Sequence, residues 1–168
     1  MKVSIIIPAY NEERTIGELL KRVERALLGL PFEAEAEIMV VDDASRDGTA
    51  EIVKQYSTVR YIKQEKNQGK GAALRRGFKE ATGDIVLIQD ADLEYDPKDY
   101  VKLLKPIVDN VADVVYGSRF RGEVQRVLYF WHFVGNSLVT LISNMLTNLN
   151  SFATTLLNKY LQSRNLVQ

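Results

Sequence analysis

Apolar residues fall along this chain in two alternating habits. Val3–Ile7, the Ile38–Val41 stretch of Glu37–Asp43, and Ile85–Gln89 are short, nearly unbroken apolar runs. Such runs suit strands covered on both faces of a sheet. Between them, apolar residues recur every three or four positions, as at Ile16, Leu19, Leu20, Val23, Ala26 and Leu27. That spacing is one face of a helix over Glu12–Leu28. Pro8 closes the first strand because it cannot donate to a central ladder. Ser45–Thr49 reads as a turn into a short helix over about 49–56, and Val59–Lys63 as a third, edge-like strand. Gly69–Thr82 is a helix that Gly83 stops. Ile85–Gln89 is the fourth strand. Asp96 caps a helix with Pro97 in its first turn, running to about Asn110. Asp113–Tyr116 is a fifth strand, and a long apolar helix is expected over Val124–Leu149. Ser151–Gln168 also reads as helical.

Strands alternating with helices predict an α/β fold of three layers with a mostly parallel sheet. Length changes this little: 168 residues suit one ordinary domain with a real core. Charge changes it more. The net charge is zero, so bulk electrostatics point to no nucleic-acid partner. Yet Glu123 is the last acidic residue, and residues 124–168 carry only Arg126, Lys159 and Arg164 as charged side chains. The expected division is therefore 1–123, a charged, water-facing domain, and 124–168, an apolar, amphipathic helical extension. Leu128–Leu149 approaches spanning length, but Asn136, Ser137, Asn144 and Asn148 favour a helix lying at a bilayer surface or packing on a partner, including a second copy of the chain. Cysteine is absent. That excludes disulfides, thiolate zinc sites and a cysteine nucleophile. The opening Met-Lys-Val-Ser-Ile-Ile-Ile-Pro reads as a first strand, being too short for a signal peptide.

The candidate chemistry sits where strands end. Asp90-Ala91-Asp92 follows the fourth strand, and in an extended segment residues two apart point the same way. Two carboxylates so placed repel unless a cation lies between them, and a hard divalent ion with oxygen ligands fills that role. The carboxyl end of a strand in an open parallel sheet is also where such folds bind ligands. Asp42-Asp43 repeats the pattern after the second strand, though one of the pair is expected merely to cap the next turn. Tyr10 and Glu12, after the first strand, could serve a base and a sugar hydroxyl, or simply begin a helix. Asn67-Gln68-Gly69-Lys70-Gly71 sets a lysine and backbone amides at a helix N-terminus, which suits a phosphate, although the spacing is not that of a Walker-type loop. Arg119 and Arg121 follow the fifth strand, where a guanidinium fork would suit phosphate. His132, among Phe130, Trp131 and Phe133, is more simply a packed residue than a catalytic one.

Taken in order, Ile6–Glu12, Val40–Thr49, Asn67–Gly71, Gln89–Glu94 and Gly117–Phe120 resemble the family 2 glycosyltransferases of the GT-A fold, nearest the dolichol- and polyprenyl-phosphate sugar synthases. The resemblance runs from residue 3 to about 150. It implies that Pro8, Tyr10, Glu12, Val41 and Asp43 hold the nucleoside of a nucleotide sugar. Asp90 and Asp92 would bind Mg²⁺ or Mn²⁺ bridging the diphosphate, with Ala91 backing the motif and Glu94 a third metal contact. Arg119 would meet the phosphates of donor or acceptor, beside Lys70, whose place at a helix start already suggests a phosphate. Asp92, Arg119 and Arg126 would be the catalytic set, and 1–123 the nucleotide-sugar-binding domain. The implied reaction moves a sugar from a GDP-mannose or UDP-glucose type of donor to a lipid phosphate, with inversion, on a cytoplasmic protein held peripherally at the membrane. Relatives usually continue past Leu146–Asn150 into a segment with an acidic residue and a Cys-Tyr-Lys-like stretch, whereas Ser151–Gln168 carries neither. The alternative is a protein that binds nucleotide sugar without turning it over, or a shortened, inactive domain. A phosphate-accepting receiver domain fits poorly, because its acids follow the first strand.

Overall fold

The computed structural model describes residues 1–116 and 160–163. The buried runs form strands as expected: β1 (Lys2–Ala9), β2 (Glu35–Asp42), β3 (Val59–Lys63), β4 (Ile85–Ile88) and β5 (Val114–Tyr116). The periodic segments form α1 (Ile16–Leu28), α2 (Thr49–Val53), α3 (Lys70–Glu80) and α4 (Tyr100–Val108). A 3₁₀ turn, Pro97–Asp99, leads into α4, and Asp96 caps it by accepting from the Lys98 amide at 3.1 Å. α1 starts four residues later than its apolar pattern suggests. The Glu12 carbonyl takes the Thr15 and Ile16 amides and closes a turn there first.

The sheet runs β3-β2-β1-β4-β6-β5. β1 pairs in parallel with both β2 and β4, and β2 with β3. The sixth strand, β6 (Tyr160–Ser163), lies antiparallel between β4 and β5. The helical reading of Ser151–Gln168 is therefore wrong at these four residues: their backbone completes the open edge of β4, whose polar groups would otherwise lack partners. The rest of that segment, the helix expected over Val124–Leu149 and the boundary at Glu123 lie outside the described residues.

Alternation along the strands builds the layers. Val3, Ile5, Ile7 and Ala9 of β1 face one side, where they pack with Leu19, Leu20 and Val23 of α1 and with Tyr100, Leu104 and Ile107 of α4. Ile6 of β1, Met39 and Val41 of β2 and Ile88 of β4 face the other side, against Ala73 and Leu74 of α3. Each fully buried isoleucine of this kind contributes about 1.5–3 kcal/mol of transfer free energy. α3 comes unusually close to β1 because residue 77 is glycine, and a Cβ there would strike the Ile6 side chain. The expected three layers are present. Among the described residues, no helix is long and apolar enough to cross a membrane.

Candidate active site

The carboxyl ends of β1, β2 and β4 open onto one cavity of about 160 Å³, lined by Pro8, Ala9, Tyr10, Glu12, Asp43, Lys70, Ala73, Asp90, Ala91 and Asp92. This is the crevice between parallel strands where doubly wound sheets take ligands. Ala9 and Ala73 are the lining residues that motif reasoning passed over. Their small side chains leave the space, and small residues carry no polar signal in a sequence.

Two loops are laced together at the rim. The Asn11 amide donates to Ser45 Oγ at 3.0 Å, and Asn11 Oδ1 accepts from the Arg46 amide at 2.9 Å. The Glu12 amide donates to Thr49 Oγ1 at 2.8 Å, and the Gly48 amide to Glu13 Oε2 at 2.9 Å. Asn11 and Ala44, at the two bends, have φ of 56° and 61°. Asn tolerates that region through its short polar side chain. Glu12 also accepts from Thr15 Oγ1 at 2.6 Å, so the helix-start reading holds for a residue that nevertheless lines the cavity. Tyr10 stands at the mouth, 43% exposed, with its ring available for stacking.

The two aspartates after β2 divide the work. Asp42 caps the following turn, accepting from the Ser45 amide at 2.8 Å and from the Tyr61 hydroxyl. Burial, and then that bond to Asp42, push the Tyr61 phenol well above its ordinary range. Asp43 accepts from Gln64 Nε2 at 2.6 Å and the Gln68 amide at 2.9 Å on Oδ1, and from the Gly69 amide at 2.7 Å on Oδ2. Asp43 thus fastens the loop ahead of α3. Two of the amides that the glycine-lysine motif offered to a phosphate are taken by this carboxylate, which leaves the Lys70 side chain as the loop's cationic contribution to the cavity. Val41 is packed in the core with Ile6, Met39 and Ala73 and is not among the lining residues.

Asp90 is the chemical centre. It is 3% exposed, and Lys70 Nζ lies 2.5 Å from its Oδ1. Apart from that ion pair, neither carboxylate oxygen has a hydrogen-bond partner among the described residues. A buried carboxylate so thinly supported is costly. Burial raises its pKa, the Lys70 ammonium opposes the rise, and the nearby charges of Asp92 and Glu94 add to it. β4 ends at Ile88, two residues before Asp90, and Ala91 and Asp92 form a turn. Asp90 and Asp92 are therefore not aligned by an extended strand, as their spacing suggests: Asp92 reaches the cavity through a turn in which its Oδ1 accepts from the Glu94 amide at 3.0 Å and Leu93 sits at φ 63°. Asp90 is the buried acid of the pair and Asp92 the exposed one.

These residues fit a divalent ion. Among the described residues no three acidic or histidine side chains gather as an ion site by themselves, and Glu94 does not line the cavity. Mg²⁺ needs no such cage, because one or two carboxylates together with substrate phosphate oxygens and waters complete its shell. The unpartnered oxygen of buried Asp90 is where the deficit shows. Arg119, Arg126 and His132 lie outside the described residues.

Sequence reasoning also missed Gln89, Tyr100, Gln64 and Thr49, which hold the lining residues in place. Gln89 ends a buried run, and a wholly buried amide must find partners. That was the available signal.

A mostly parallel sheet with an acid-tipped crevice, a lysine and an aromatic lip is an α/β arrangement of the GT-A kind. The glycosyl transferase family 2 model matches residues 4–161, and the chain belongs to that family. A dolichol-phosphate mannosyltransferase of Pyrococcus furiosus is 44% identical over 123 residues, covering 71% of this chain and 34% of that protein. An undecaprenyl-phosphate 4-deoxy-4-formamido-L-arabinose transferase of Pseudomonas fluorescens is 41% identical over 107 residues, covering 61% of this chain and 31% of that one. This chain spans about a third of the length of those relatives. Among solved structures, glucosyl-3-phosphoglycerate synthase from Mycobacterium tuberculosis, crystallised with Mn²⁺, UDP and phosphoglyceric acid, superposes with a TM-score of 0.72 at 26% identity, covering 98% of this chain and 56% of that one.

Proposed function

We propose that this chain is the donor-binding, catalytic portion of a glycosyltransferase that moves a sugar from a nucleoside diphosphate to a polyprenyl or dolichyl phosphate. The observation that carries the reading is the buried Asp90 carboxylate, short of partners, at the mouth of the parallel sheet beside Asp92 and Lys70. The names of the mannosyl- and arabinosyl-transferring relatives support the lipid phosphate acceptor, and the Mn²⁺ and UDP in the superposed synthase support the ion and the nucleotide.

In this reading Tyr10 stacks on the base, with Pro8 and Glu12 beside it at the cavity wall. Asp43 keeps the Gln68–Gly69 loop closed, so that Lys70 is presented to the donor's phosphates. Asp90 and Asp92 hold Mg²⁺ or Mn²⁺, which when bound neutralises the charge that develops on the departing diphosphate. An acceptor phosphate is already anionic near neutral pH and requires no strong general base. Its oxygen attacks the anomeric carbon as the bond from that carbon to the diphosphate oxygen breaks, which inverts the configuration. Arg119 and Arg126 position the acceptor phosphate. The donor is of the GDP-mannose or UDP-glucose type. The acid-free stretch from Val124 meets the prenyl chain at the membrane surface, and no nucleic acid takes part.

Incubation of the chain with Mn²⁺, radiolabelled GDP-mannose or UDP-glucose, and a polyprenyl phosphate tests this. Labelled, organic-extractable product is expected and should be lost with EDTA. Nucleotide-sugar binding without transfer would favour the non-catalytic alternative.

A further inference from the structure

The loop that carries Asp90 and Asp92 is closed by a residue outside the cavity. Gln89 is wholly buried, and its Nε2 donates to the Asp90 carbonyl at 3.0 Å and to the Tyr95 carbonyl at 3.2 Å. Both partners are carbonyl oxygens, which only accept, so the amide nitrogen must face them. The remaining oxygen, Oε1, takes the Tyr100 hydroxyl at 3.0 Å. Tyr100 is the first residue of α4, fully buried in the core with Leu103, Leu104 and Ile107. Burial holds its phenol protonated, so it donates. One side chain therefore ties both ends of the turn to each other and to the helix layer.

We propose that Gln89 and Tyr100 are a positioning pair: together they set the attitude of the Asp90–Tyr95 turn, and so present its two carboxylates to the cation. The role rests on the metal reading above. Three features of the turn call for such a clamp. Leu93 is in the left-handed region, which a residue with a side chain keeps only where its surroundings over-determine it. Asp92 is exposed, and its Oδ1 accepts from the Glu94 amide within the same turn. β4 has already ended at Ile88, so the turn lies beyond the ladder of the sheet. The clamp supplies all three needs from the core, and neither of its side chains lines the cavity.

Gln89→Met keeps length and volume but removes both donors, while Tyr100→Phe removes one hydroxyl and leaves the aromatic packing. In each variant, amide hydrogen exchange at Ala91–Tyr95 is expected to accelerate about tenfold, with β1 and β2 amides unchanged. Mn²⁺ affinity, followed by electron paramagnetic resonance on the whole chain with UDP or GDP present, should weaken about 10–100-fold, as when the partners that orient metal ligands are lost. A merely structural role would raise exchange evenly across the sheet and leave Mn²⁺ affinity where it was. Should Gln89→Met fail to fold, Tyr100→Phe carries the test. Loop exchange and Mn²⁺ affinity both at wild-type values would overturn the clamp. A wild-type chain that binds no Mn²⁺, with the loop still loosened in the variants, would sink the cation reading and the positioning role with it, while the hydrogen-bonded clamp stood.

Discussion

Between Lys70 and Asp90, 2.5 Å apart, a half-exposed cation meets an anion that is almost wholly enclosed. The arrangement makes sense for a carboxylate that must stay charged until a stronger cation arrives. Its stability consequence can be read from the sign of the shift. Burial raises the Asp90 pKa, so the folded chain holds that proton more tightly than the unfolded chain does. Over the window from the ordinary carboxylate range up to the raised value, stability therefore falls as pH climbs. Lys70→Met removes the charge that opposes the rise. The variant should lose more stability than the wild type as pH increases through this window, measured by thermal unfolding without metal. Parallel curves for the two proteins would show that Lys70 does not support Asp90. Glu37 behaves in the opposite sense. Burial works against its charge, but the Ser4 hydroxyl and the Thr82 amide outweigh it and hold the carboxyl below its usual range. The stability Glu37 adds is present above the ordinary glutamate range and is lost as pH drops through its lowered value.

At the scale of single elements, α3 depends on two glycines for different reasons. Gly69, at its N-terminus, has φ 84° and ψ 162°, a region open essentially to glycine alone, and its amide is one of those Asp43 holds. Gly69→Ala should cost about 1–3 kcal/mol by urea unfolding. Because no atom lies near the added Cβ, that cost would be backbone strain and not a clash. A cost near zero would show that the loop relaxes freely. Gly77→Ala should cost a similar ~1–3 kcal/mol, by overpacking against Ile6. Pairing it with Ile6→Ala, which removes the γ and δ carbons that the new Cβ would strike, should cost less than the sum of the two single changes, and strict additivity would argue against the contact. These elements also mark where the sequence was legible. β1, β2 and β4 were readable because burial on both faces leaves an unbroken apolar signature, and α1 because one buried face repeats. Asp96 was readable as a cap because the whole interaction lies within three residues. What escaped reading was long-range. The Asp43 carboxylate takes amides from Gln68 and Gly69, and no local pattern shows that these donors are spoken for. The turn at Ala91–Asp92 is closed by Gln89, which bonds the Asp90 and Tyr95 carbonyls and reaches Tyr100 on another element. β6 is four residues long, too short for a period to appear, and its pairing with β4 and β5 is purely tertiary.

For the whole molecule, sheet topology is what turns scattered motifs into one site. β1 lies between β2 and β4, so the loops after all three meet, and residues from Pro8 to Asp92 line one cavity. Of the candidate residues that are described, Pro8, Tyr10, Glu12, Asp43, Lys70, Asp90, Ala91 and Asp92 come together there, while Val41 is in the core and Glu94 is off the cavity wall. The returning strand β6 adds a constraint of its own. Deleting everything from Val124 onward would remove a strand from the sheet, so membrane contact has to be tested on the intact chain. The intact chain is expected to co-sediment with liposomes, and failure to do so would remove the bilayer surface from the account. The central claim is that Asp90 and Asp92 bind a divalent ion that grips a nucleoside diphosphate. Calorimetric titration of UDP and of GDP, with and without Mn²⁺, into the wild type and Asp92→Asn tests it most directly. For one of the two nucleotides, Mn²⁺ should strengthen wild-type binding. The variant should lose that gain while keeping its metal-free affinity and its fold. Equal Mn²⁺-dependent affinity in the two proteins would contradict the claim.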